Sequence, residues 1–180
     1  MVILPGSGRA APSVGFEVPL EMLAACHLRV QSQCDTLQRL VPHLQAHGSD
    51  RAAQEAAQAV MRYFDTAGRH HHEDEEQDLF PALRAAGTGA DAGQVADLTA
   101  SLCADHRALE AAWQALRAAL EPIRQGAPGT LEAGSVDAFA QRYAQHIARE
   151  DTELLPLAGR LLDAATLDRV GRAMRARRGV

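Results

Sequence analysis

The sequence predicts an all-α protein built as an up-down four-helix bundle, and three observations lead there. Ala and Leu abound while aromatic residues make up only 4% and Val, Ile and Thr are sparse, a profile of straight-chain helix formers rather than of sheet residues. Breaks rich in Gly, Pro and Ser divide the chain into four long segments. Within those segments apolar residues recur with helical period. At 180 residues the chain fits one domain large enough to enclose a core.

Residues 1–16, rich in Pro, Gly, Ala and Ser, are expected to form a flexible arm ahead of a bundle over 17–163. The first segment, about Pro19 to His47, carries Leu20, Leu23, Leu37, Leu40 and Leu44, and Gly48-Ser49-Asp50 ends it. The second runs from Asp50 to Arg84 and stops at the stretch from Gly87 to Gly93. The third, about Ala92 to Arg124, carries Val95, Leu98, Leu102, Leu109, Trp113, Leu116 and Leu120, and the stretch from Gln125 to Gly134 closes it. The fourth covers Thr130 to Leu162. A segment of this length extends about 45 Å as a helix, and four such rods with short connections pack up and down. Residues 164–180 read as a short basic helix or tail whose arginines, Arg169, Arg172, Arg175, Arg177 and Arg178, face solvent.

An internal repeat locates a candidate site. The second segment holds His71-x3-Glu75-Glu76-x2-Leu79-Phe80-Pro81 and the fourth holds His146-x3-Glu150-Asp151-x2-Leu154-Leu155-Pro156. An aromatic residue, Phe64 or Phe139, stands seven positions before each His, so one helix face carries Phe, His and Glu together. Each motif segment follows a segment with one central His, His27 or His106, and a Leu ten positions later, Leu37 or Leu116. The repeating unit is a helix pair, and a pseudo-two-fold arrangement brings all four helices to one place. Of the run His70-His71-His72, only His71 with Glu75 keeps the offset to Leu-x-Pro. His70 and His72 point about 100° to either side and are read as flank or surface residues.

This spacing is metal chemistry. Positions i and i+4 on a helix stand about 5–6 Å apart, so an imidazole and a carboxylate reach the same small cluster. Four His and two Glu converging in a core would each cost several kcal/mol unless bonded, which coordination achieves. The donors divide between two ions: His27, His71, His106 and His146 as terminal nitrogens, Glu75 and Glu150 as bridging carboxylates. Imidazole-rich mixed sites suit iron, while manganese and zinc use the same donors. Ferritin-like oxidases use Glu-x-x-His; here the order is reversed and the single ligands are His.

With these residues in place, the chain resembles the hemerythrin-like, HHE cation-binding family over roughly residues 18 to 162, on His27, the run from His71 through Pro81, Asp105-His106, and His146-x3-Glu150 with Leu154-Leu155-Pro156. The resemblance implies two non-haem iron ions, bridged by carboxylate and by oxide or hydroxide, in a protein that binds or senses dioxygen, iron or redox state. The alternative it implies is a di-iron catalyst handling peroxide or nitric oxide, or an iron donor in stress repair. Oxygen carriers of the family have His-x3-His on the third helix and His-x4-Asp on the last. Here Leu102 and Glu110 flank His106, and the last motif is His146-x3-Glu150. Those departures point toward the subgroup associated with sensing, iron handling and peroxide or nitrosative chemistry. Repair members usually carry an extra cysteine-bearing N-terminal domain, and residues 1–16 contain no cysteine.

Other features bound the function. A formal charge of −5 without a basic stripe argues against nucleic acid as a partner. No apolar run spans a bilayer and the opening residues, broken by Pro and Gly, build no signal-peptide core, so no membrane contact and a cytoplasmic location are expected. Cys26, Cys34 and Cys103 are read as small apolar residues. Glu110 faces the side of His106 but has Gln31 at its counterpart position; it is not expected to be a ligand. Tyr143 and Trp113 are read as packing, His43 and His47 as surface residues about 24–30 Å along the helix from His27. Glu73, Asp74, Glu76 and Asp78 are read as a solvated acidic face, and Pro81 and Pro156 as kinking or ending their helices.

Overall fold

The computed structural model describes residues 15–180; most of the arm expected over 1–16 lies outside the described residues. Four rods and a short fifth helix make up the fold. α1 spans Pro19–His47. α2, residues 51–86, is a broken rod of three α-helical pieces, Arg51–Tyr63, Arg69–Asp74 and Phe80–Ala86, joined by π-helical turns at Phe64–Gly68 and Glu75–Leu79. α3 spans Ala90–Arg124. α4, residues 133–161, joins Ala133–Arg149 to Leu155–Leu161 through a third π-helical turn at Glu150–Leu154. α5 is Ala164–Arg177.

The local chemistry sets these ends. Gly48 closes α1 with φ of 63°, a left-handed conformation that suits a residue without Cβ. Asp50 caps α2 by accepting from the Ala53 amide at 2.9 Å, and Asp163 caps α5 by accepting from Thr166 at 2.8 Å. Pro81 and Pro156 do not end their helices. Each follows a π-helical turn in which Phe80 or Leu155 donates its amide five residues back, to the Glu75 or Glu150 carbonyl. The proline has no N–H to give, and the widened turn accommodates that loss while the rod continues.

The rods form a ring in which α1 packs on α2 and α4, and α3 packs on the same two. Two apolar clusters fill it. One gathers Val30, Leu37, Leu40, Val60, Phe64, Leu109, Trp113, Leu116 and Phe139; the other gathers Leu23, Leu79, Phe80, Leu83, Leu102, Leu154 and Met174. Between them, on every rod, lies one polar layer.

α5 docks on this frame through charge. Asp74, fully buried, is held by Arg178 at 2.6 and 3.1 Å and by Arg177, which also reaches Asp78 at 2.7 Å. This corrects two expectations: Asp74 belongs to no solvated face, and the last two arginines of the expected tail are only 15% and 18% exposed. The acids and the arginines were each readable as solvated because nothing in the linear order says that α5 folds back onto α2. Gly171 permits α5 to approach the residues just ahead of α1 as well, since a Cβ there would meet the Phe16 carbonyl oxygen at 2.1 Å.

Candidate metal centre

His27, His71, Glu75, His106, His146 and Glu150 all fall in the polar layer, each 4% exposed or less. α1 contributes the first, α2 the next two, α3 His106 and α4 the last two. Phe64 and Phe139, from the two repeats, meet at 5.3 Å beneath the layer. Both glutamates stand at the first residue of a π-helical turn, a local widening common at functional sites.

The donors form two groups that share both carboxylates. One is His27, His71, Glu75 and Glu150; the other is His106, His146, Glu75 and Glu150, each with its ligand-capable atoms within 4.8 Å of one another. His27 Nε2 lies 3.1 Å from Glu150 Oε2, His146 Nε2 2.9 Å from Glu150 Oε1 and His106 Nε2 3.3 Å from Glu75 Oε2. His106 and His146 turn their Nε2 atoms toward each other at 3.2 Å, a convergence of nitrogens that a cation would relieve. Among the described residues, every sealed side-chain polar atom without a hydrogen bond except Ser49 Oγ belongs to this layer: His27 Nε2, His71 Nδ1, His72 Nε2, His146 Nδ1 and all four oxygens of Glu75 and Glu150. Buried polar atoms are normally paired. The inward-facing part of this set, His27 Nε2 and the four carboxylate oxygens, fits a metal.

The outer nitrogens follow the repeat. His27 Nδ1 pairs with Asp151 at 2.7 Å and His106 Nδ1 with Glu76 at 2.6 Å. The acid that follows each motif glutamate thus reaches the lone His of the other helix pair, which fixes the tautomer and aims Nε2 inward. Glu76, read as part of a solvated face, has this inward role although it remains partly exposed. His146 Nδ1 is farther from its acid, 3.7 Å from Asp105, which Arg149 engages at 3.2 Å.

Electrostatics match the crowding. Burial would lower His27 and His106, but the carboxylates around them, Glu150 foremost, raise them to about 9 and about 10. His71, sealed by burial, falls to about 3, and burial holds His72 well below the usual range. Burial and the neighbouring Glu150 push Glu75 up to about 8. Glu150, against the same burial, is held well below the ordinary carboxylate range by His106, His146 and His27.

His72, read as a flank or surface residue, lies on the flank, half-buried at the α3 interface. Its ring stacks on His106 with centroids 4.0 Å apart and planes at 12°. On a bundle, 100° from the inward direction faces the adjacent rod rather than water, and the α3 interface receives it. Glu110 lies outside the layer, exposed and accepting from Gln114 at 2.6 Å. Tyr143 packs 5.0 Å from Phe139, and Trp113 walls the core while donating to Asp65 at 3.0 Å. Cys26 and Cys34 are buried, Cys103 is partly exposed, and all three are free.

The sequence matches the Hemerythrin HHE cation binding domain over residues 18–158. The chain belongs to this hemerythrin family. An uncharacterised protein of Haemophilus influenzae is 33% identical over 162 residues, covering 90% of this chain and 91% of that one. The matched residues take in the polar layer, both motif repeats and all four rods except the last three residues of α4, and the domain's cation-binding character agrees with the unpaired buried His and Glu atoms of that layer. Among the described residues no helix is long and apolar enough to cross a membrane.

Proposed function

We propose that the protein is a non-haem di-iron protein that binds or senses dioxygen, iron or redox state, with His27, His71, Glu75, His106, His146 and Glu150 as its ligands. The observation that carries this reading is the pair of buried four-donor groups sharing Glu75 and Glu150. Two imidazoles and two carboxylates per ion form the mixed nitrogen and oxygen set that suits iron. Bound iron would supply one-electron chemistry and open positions for a small molecule. The chain's own residues hold the donors in register, aim two imidazoles through Asp151 and Glu76, and exclude bulk water with the two apolar clusters. A polar surface groove of about 430 Å³, lined by Asp105, Arg142, His146 and Arg149 among others, offers a small ligand a way toward His146. Three free cysteines suit a reducing, cytoplasmic location.

His71→Ala and Glu150→Ala test the ligand set by elemental analysis of the purified variants. Both should lose bound metal and, with it, the stability that metal confers; full retention in both would overturn the assignment. Function is tested on the reduced protein. A stable, reversible visible band on adding dioxygen supports binding, whereas repeated turnover of peroxide without bleaching supports a catalyst instead.

A further inference from the structure

We propose that His72 supplies a third imidazole to the His106/His146 half of the centre, which makes the two halves unequal; this rests on the two-metal reading above. A ligand-capable nitrogen of His72 lies within 4.8 Å of those of His106 and His146, and the three form a group of their own. His72 Nε2 is sealed from solvent without a hydrogen-bond partner, a costly placement for a polar atom with no role. Packing does not demand an imidazole there. The corresponding position of the second repeat is Ile147, which is buried in the apolar core, so an aliphatic side chain serves the same place in the other half.

The stack on His106 sets the condition. Two parallel rings cannot both aim in-plane at one ion, so His72 must turn about its Cβ–Cγ bond to coordinate. That torsion is broad and soft; the void beside the ring, about 10 Å³ between His72, Phe64, Leu109 and Trp113, is no larger than one water, so the turn needs small shifts of these neighbours.

His72→Ile makes the two repeats alike, and His72→Phe keeps a ring on His106 while removing the donor. The full-length chain and both variants are loaded anaerobically with ferrous iron, and each is read by metal content, by iron affinity and by the imidazole count from X-ray absorption. The thermal midpoint is read on samples stripped of metal. The native chain should hold two ions with five imidazoles between them. Each variant should melt, without metal, at or above the native midpoint, yet bind one of its ions at least about tenfold more weakly and show four imidazoles. Two ions held with native affinity in both variants would overturn the role of His72 and leave the two-metal reading standing. Failure of the native chain to take up two ions would overturn both.

Discussion

At the scale of single residues, the centre depends on reciprocity between the two halves of the chain. Glu76 on α2 holds His106 on α3, and Asp151 on α4 holds His27 on α1. Each is the residue directly after a motif glutamate, so one short stretch supplies a carboxylate to the polar layer and an orienting partner to the neighbouring rod. Outer partners of this kind typically contribute 10–100-fold to metal affinity, as an order of magnitude. Glu76→Gln and Asp151→Asn should therefore weaken iron binding by about that factor while leaving the helical circular dichroism unchanged. Competition with a chelator measures it, and an unchanged affinity in both variants would show that the imidazoles need no such support.

The six residues of the polar layer were legible at this scale because the motif occurs twice with its offsets intact, which separated His71 from its two neighbours. For His72 the same argument left two readings open, flank or surface, and the structure gives the flank. A helical wheel gives direction relative to the rod's own axis, and only the packed bundle shows that this direction meets α3 rather than solvent. Glu76 was hidden for a related reason: a partly exposed acid in an acidic run looks solvated until the partner rod is in place.

At the scale of elements, two of the four rods run on through π-helical turns and α5 folds back onto α2. All four rod positions were readable from apolar periodicity and glycine-rich breaks, with ends shifted by up to three residues. The π-helical turns were not: those at Glu75–Leu79 and Glu150–Leu154 reflect how the proline that follows each is accommodated within a continuous rod, and the one at Phe64–Gly68 has no proline beside it. Nor was the docking of α5, which depends on Asp74 meeting Arg177 and Arg178 about one hundred residues later in the chain. Removing one member of a buried ion pair typically costs about 3–5 kcal/mol because the remaining charge is left unpaired. Both arginines keep some contact with water, so Asp74→Ala should lose roughly 3 kcal/mol, visible as a lower urea midpoint. A midpoint shift equivalent to less than about 1 kcal/mol would mean that α5 is held by its apolar contacts, chiefly Val170 and Met174.

At the scale of the whole molecule, a polar layer divides the apolar core in two, and its proton balance sets how stability responds to pH once metal is stripped. His27 and His106, raised to about 9 and about 10 from an ordinary 6.5, and Glu75, raised to about 8 from 4.5, all hold protons more tightly folded than unfolded. Their contribution is complete at low pH and is lost as pH rises through the folded values. His71, lowered to about 3, acts in the opposite sense only between about 3 and 6.5. The stripped chain should thus lose stability steadily from about pH 6.5 to 10, followed by the urea midpoint; a flat or rising profile would contradict this charge arrangement. Acid has the reverse effect on the loaded protein, where protons compete with metal for the same imidazoles and carboxylates.

The central claim is a dinuclear iron centre, and one measurement bears on it most directly: iron content per chain after anaerobic reconstitution, paired with absorption spectra before and after admitting air. Two irons per chain, with new near-ultraviolet and visible absorption on oxidation, is the predicted result. One ion or none after reconstitution with ferrous iron, or zinc that ferrous iron fails to displace, would contradict it.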